Sequence, residues 1–179
     1  LRADAAEFRV SGGAVAVGDI TMQPLGTVHG TVTDETGTPL PGICASFVAG
    51  PTDEQDWFDA GRTDDHGVFD ARVPADVDGT ISLRDCTPAP VRSDTWYPGV
   101  SDMAGATTVR LSPNDTSDLG NTVMATGAVV QGLVTDGAGA PQPNVCVSAQ
   151  DTTGRDWRYA GGSVTGADGT YRFVVAPGR

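Results

Sequence analysis

The chain has 179 residues, enough for one or two domains, and carries 23 acidic against 11 basic residues for a net charge of −12. That charge repels nucleic acid and anionic membrane surfaces, and no apolar run approaches the roughly 20 residues needed to cross a bilayer. With 24 Gly, 12 Pro and 6% aromatics, and no apolar stripe at helical spacing, the composition describes short strands between many turns, so all-β is the expected class.

In chain order, the first stretch already belongs to a pattern that returns later. "GDITM" from Gly18 matches "GNTVM" from Gly120 at an offset of 102 residues, and "FRVS" from Phe8 matches "VRLS" from Val109 at 101. Next comes "VTDETGTPLPGICAS" from Val32, echoed by "VTDGAGAPQPNVCVS" from Val134, again 102 residues on. Gly30, Val32, Asp34, Gly37, Pro39, Cys44, Thr63, Gly67 and Phe69 align in this way with Gly132, Val134, Asp136, Gly139, Pro141, Cys146, Thr165, Gly169 and Tyr171. A repeat of this period marks a modular architecture. It divides the chain into the C-terminal strands of an upstream repeat (1–25), one complete repeat (26–127) and the N-terminal half of the next (128–179). The chain reads as a piece of a longer protein.

Within the complete repeat, side chains alternate with the period of a strand. "GTVHGTVTD" turns Val28, Gly30 and Val32 to one face; "GICASFV" turns Ile43, Ala45 and Phe47 inward; "WFDAGRT" follows. "GVFDARV" contributes Phe69, Ala71 and Val73, and "GTISLRDC" contributes Ile81 and Leu83. "DTWYPG", "TTVRLS" and "NTVMATG" are expected to supply the remaining extended segments. Seven to eight short strands in about 100 residues predict a Greek-key β-sandwich, here in tandem and of transthyretin-like or immunoglobulin-like kind. "TDETGTP" and "TDGAGAP" place an Asp where its side chain can bond the backbone two residues on, and a Gly where φ can be positive.

Cys44 and Cys86 both point away from the core face of their strands, so a disulfide on the outer face is expected if those strands are neighbours. Buried free thiols and a metal site are the alternative readings, although no thiolate or imidazole partners stand at zinc spacing. Cys146 is the copy of Cys44, and the copy of Cys86 would fall at position 188, leaving Cys146 unpaired by truncation.

These residues carry a resemblance. "GTVHGTVTDETGTPLPGICASF", "GRTDDHGVFDARVP", "ISLRDC" and "WYPGVSDMAGATTVRLSPNDTSDLGNTVMAT" resemble the carboxypeptidase regulatory-like domain, a transthyretin-like (prealbumin-like) β-sandwich common in secreted and surface proteins of actinobacteria. His66 stands where the second copy has Asp168, and Asn144 replaces Gly42 of the first copy. The resemblance implies a non-catalytic accessory module appended to enzymes and adhesins, often in tandem. It implies no cofactor, and its partners would be neighbouring repeats or other copies of the protein. A polysaccharide or a surface protein is the further kind of partner, with no nucleic acid and no membrane insertion.

Candidate sites are few. His29 lies on the polar face of a strand and His66 in a turn, without a Ser or Cys in a nucleophile motif, so no catalytic residue is assigned. The absence of Lys excludes a Lys-to-Asn isopeptide cross-link within the chain. Asp53, Asp56, Asp64 and Asp65 invite a calcium reading, yet the loop lacks EF-hand spacing and reads better as a solvated acidic loop, so no metal is assigned. Trp57, Trp96, Tyr97, Trp157 and Tyr159 are the ligand-binding candidates, because sugar rings stack on exposed aromatic faces; the alternative is that they pack over a sheet edge or at the joint between units. In this reading Asp56-Trp57 recurs as Asp156-Trp157. The expected function is a structural spacer repeat of an extracellular stalk, filament or adhesin, with a carbohydrate- or protein-binding accessory module of a secreted enzyme as the alternative.

Overall fold

The structure is a computed structural model that describes residues 12, 19, 22, 24–50, 55–152 and 158–177. It is all-β, with several sheets. Seven strands belong to the first unit: β1 (Leu25–Thr33), β2 (Ile43–Ala49), β3 (Asp56–Arg62), β4 (Val68–Pro74), β5 (Gly79–Asp85), β6 (Thr95–Trp96) and β7 (Thr116–Val123). They form a three-stranded sheet of order β4-β1-β7 and a four-stranded sheet of order β3-β2-β5-β6. β1 lies antiparallel to β4, with Gly30 opposite Phe69, and parallel to β7, with Val32 opposite Thr122.

The two sheets face each other through the residues whose alternation pointed them inward. Val28, Val32, Phe69, Ala71 and Val73 come from one sheet and Ile43, Ala45, Phe47, Ile81 and Leu83 from the other, none more than 3% exposed. Burial of this apolar set, at about 25 cal/mol per Å² removed from water, is what holds the sheets together. Met124, Val109 and Leu111 complete the cluster.

Two expected strands differ in the structure. "TTVRLS" forms only an isolated bridge between Val109 and Gly79. Its apolar residues plug the rim of the sandwich: Val109 exchanges both backbone bonds with Gly79, at 2.7 and 3.1 Å, and the Leu111 carbonyl accepts from Asp76 N at 2.7 Å. "DTWYPG" is a strand of only two residues, because the chain reverses at once, Gly99 N and Val100 N both donating to the Trp96 carbonyl at 2.7 and 2.9 Å. A one-turn 3-10 helix at Met103–Gly105 follows, with Asp102 accepting from Gly105 N at 3.1 Å.

β8 (Ala128–Leu133), β9 (Cys146–Asp151), β10 (Arg158–Val164) and β11 (Thr170–Val175) form the second group, paired as β11-β8 and β10-β9. The repeat is visible here bond by bond. Val32 N donates to the Gly67 carbonyl at 2.8 Å and Val134 N to that of Gly169 at 2.9 Å; Leu40 N donates to Val32 and Gln142 N to Val134, each at 2.9 Å. Asp34 Oδ1 accepts from Thr36 N and Thr38 N, and Asp136 Oδ1 from Ala138 N and Ala140 N. These bonds hold the Asp34 carboxyl below the usual carboxylate range, the Thr36 hydroxyl contributing most.

A buried threonine closes each unit's first turn. The Thr63 hydroxyl donates to the Leu40 carbonyl at 2.6 Å and accepts from Ile43 N at 2.9 Å; the Thr165 hydroxyl donates to Gln142 at 2.7 Å and accepts from Val145 N at 2.9 Å. The replacement of Gly42 by Asn144 also has a backbone reason: φ is 79° at Gly42 and 59° at Asn144. That left-handed region is open to Gly, and Asn is among the few other residues that enter it readily.

Candidate functional site

The aromatic candidates do not share one fate. Trp57 projects from β3 on the outer face of the four-stranded sheet and is 52% exposed. Trp96, from β6, is half-buried on the same face, its ring 6.0 Å from that of Trp57 and tilted by 58°. Alternation explains this placement, since Trp57 pairs with Val48 and Trp96 with Ser82, and the small Ser46 and Ser82 between them leave room for two indoles. Tyr97, one residue on, takes the opposite parity and packs against the core, which removes it from the surface set. The Trp57 and Trp96 rings are therefore a tilted pair and not a coplanar platform.

The second unit supplies a third ring. In the register of the strands, Val48 faces Trp57 and its copy Gln150 faces Tyr159, which is 67% exposed. Tyr159 thus occupies, in the register against the neighbouring strand, the place of Trp57 at the offset of 102 residues. The one-residue bulges explain it: β2–β3 shifts register between Ala45 and Ser46, β9–β10 beside Tyr159. Asp156 and Trp157 lie outside the described residues.

Trp57, Trp96 and Tyr159 line one open cleft of about 310 Å³ between the first unit's outer face and the second unit. Its polar lining includes Ser82, Ser93, Asp102, Arg84 and Asp94. Arg84 Nε and Nη2 both donate to Asp94 Oδ2, at 3.3 and 3.2 Å. Sequence reading passed over this pair, although Arg84 of β5 shares the outward parity of Cys86 two residues on and could have been found from it.

Beside the cleft runs the connection between the units. All four residues from Met124 to Gly127 are bonded back to the first unit: Met124 N to the Thr33 carbonyl at 2.9 Å, Ser93 N to that of Ala125 at 3.3 Å, Thr126 N to Glu35 Oε1 at 3.0 Å and Gly127 N to that of Val91 at 2.9 Å. Arg92 is the hub. Its guanidinium, 15% exposed, reaches Glu35 at 3.1 Å, Asp34 at 3.4 Å and the Thr126 hydroxyl at 2.9 Å. Asp85 fixes Arg92 in turn, accepting from Val91 N at 2.8 Å, Arg92 N at 3.2 Å and both Thr87 N and its hydroxyl. Burial pushes the Asp85 carboxyl up, but the Thr87 hydroxyl and the three N–H donors outweigh it and hold the group below its ordinary value. Across the joint, the Arg172 guanidinium donates to the Pro90 carbonyl. Gly127 is required by close approach, because a Cβ there would meet Val174 and lie 3.2 Å from Ser93 N.

Cys44 and Cys86 are joined by a disulfide across adjacent antiparallel strands, with Cα atoms 5.8 Å apart. Cys146 is exposed and free of any disulfide among the described residues. The acidic candidates serve turns. Asp64 Oδ1 accepts from His66 N and Val68 N, each at 2.9 Å, and those bonds lower its pKa. In the second unit that duty passes to Asp168, which accepts from Thr170 N and its hydroxyl, so the exchange of His66 for Asp168 moves the turn's acceptor and keeps the turn. Asp56 lies at the start of β3, Asp65 is exposed in the turn, and Asp53 falls outside the described residues. Among the described residues no group of three or more His, Cys, Asp or Glu side chains is placed to hold a metal ion. His29 Nδ1 donates to Asp70 Oδ1 at 2.8 Å across β1 and β4, an exposed pair that raises the histidine's pKa, and Asp118 adds to the effect.

No family model matches the chain, and no curated protein matches it. Among solved structures it is similar to a streptococcal ancillary pilin, at 14% identity and a TM-score of 0.35, over 87% of this chain and 51% of that one. It is also similar to the Bacillus anthracis TIE protein, at 16% identity and a TM-score of 0.33, over 85% of this chain and 26% of that one. The chain therefore spans about half the length of the first and about a quarter of the second.

Proposed function

We propose that the chain is a spacer segment of an extracellular or cell-surface protein, built from carboxypeptidase regulatory-like sandwiches that extend a stalk, filament or adhesin and catalyse no reaction. The observation that carries this reading is the connection from Met124 to Gly127, every residue of which is hydrogen-bonded back to the first unit. A flexible linker would leave those groups to water; a tethered one sets the spacing of successive units. The recurrence of one hydrogen-bond framework at a constant interval supports the same reading, because a load-transmitting array needs equivalent units and not a single differentiated site. A disulfide fits an oxidising compartment, and no described helix is long and apolar enough to cross a membrane.

Small-angle scattering on the full chain tests the proposal. A compact globule of this length has a radius of gyration of about 16 Å. A spacer gives a clearly larger value and a rod-like distance distribution that stays constant from low to moderate salt. A value at the compact limit contradicts the proposal.

A further inference from the structure

We propose that the cleft at the junction of the two units binds a single chain of a neutral polysaccharide. Three aromatic rings from two units converge there, and two of them are widely exposed, Trp57 at 52% and Tyr159 at 67%. A pyranose ring carries apolar C–H groups on its faces and hydroxyls around its rim. Exposed indole and phenol faces take the former, and the rim needs adjacent donors and acceptors.

Arg84 and Asp94 provide them. Both guanidinium donors of the pair go to one carboxylate oxygen, Oδ2, and the two side chains are 60% and 52% exposed. Oδ1 of Asp94 is thus available to accept from one hydroxyl while the remaining N–H groups of Arg84 donate to another. The two charges cancel within the cleft, and the chain's net charge of −12 repels acidic glycans, so the ligand is neutral. The 58° tilt between Trp57 and Trp96 excludes a flat crystalline surface and leaves a single chain lying in the groove. A volume of about 310 Å³ sits at the low end of the range for ligand sites. Because Tyr159 comes from the second unit, the site exists only while the joint holds its geometry. The inference rests on the fixed joint of the spacer reading, and the two tests fail separately: scattering reports on the joint, binding on the cleft.

Affinity electrophoresis of the full chain tests it, in native gels cast with laminarin, soluble starch, galactomannan or hydroxyethyl cellulose, and with hyaluronan as the acidic counterpart. The expected result is retardation in at least one neutral gel and none in hyaluronan, with Trp57→Ala and Tyr159→Ala each weakening the retained interaction about tenfold. Asp94→Asn and Arg84→Met, exposed positions outside the core, give a second pair of variants, and both weaken retention. Normal mobility in all four neutral gels overturns the proposal. So does retention that all four variants keep, or stronger retention in hyaluronan than in any neutral gel.

Discussion

Replacing Thr63 by Val removes a hydroxyl that is 5% exposed while keeping the shape of the side chain. Two backbone groups lose their partner, Ile43 N at 2.9 Å and the Leu40 carbonyl at 2.6 Å. Leaving a buried polar group unsatisfied costs about 1–3 kcal/mol, so the pair costs about 3 kcal/mol, allowing for partial relaxation. Thr63→Ser keeps both bonds and loses only a methyl, at about 1 kcal/mol. Urea unfolding followed by tryptophan fluorescence, with Trp157 replaced by Phe in parent and variants alike, reads the first unit through Trp57 and Trp96. With a urea m-value of about 1.5 kcal/mol per M, the midpoint should fall by about 2 M for Thr63→Val and by about 0.7 M for Thr63→Ser, with m unchanged. Equal midpoints for the two variants would refute the claim that the hydroxyl clips the turn.

Two further outcomes are expected. Cys44→Ser with Cys86→Ser opens a loop closed across 42 residues and should cost about 4 kcal/mol in the chain-entropy model, measured as the same urea midpoint against the oxidised protein; a loss below 1 kcal/mol would show that the bridge constrains little. The His29–Asp70 pair raises the histidine's pKa, so its contribution is fully present below about pH 6.5 and is lost as pH rises through the folded value. His29→Gln should therefore be less stable than the parent at about pH 5 and indistinguishable at about pH 9, and a pH-independent difference would contradict the assignment.

The inward face of the sandwich was legible because alternation is a short-range property. Val28, Val32, Ile43, Phe47, Phe69, Ile81 and Leu83 are all within 2–3% of full burial where the pattern placed them. The turns were legible for a similar reason, since Asp34 and Asp136 bond their own backbone within a few residues. What the sequence hid is non-local. Val109 and Leu111 read as strand residues because their alternation is intact, but the pairing stops at the single bridge of Val109 with Gly79 of β5, and both side chains fill the rim. The register equivalence of Trp57 and Tyr159 was obscured because the bulge of β10 lies beside Tyr159 and that of β3 farther along, which no local pattern reports. Arg92 gave no local signal at all: its partners Asp34 and Glu35 precede it by 58 and 57 residues.

A spacer depends most heavily on a fixed joint between the units, and ¹⁵N relaxation on the full chain measures it directly. If Arg92, Glu35 and Thr126 hold the connection, amides of β1–β5 and of β8–β11 report one anisotropic rotational tensor, and Arg92→Met splits it into two faster ones. Two independent correlation times in the unsubstituted protein would contradict the account.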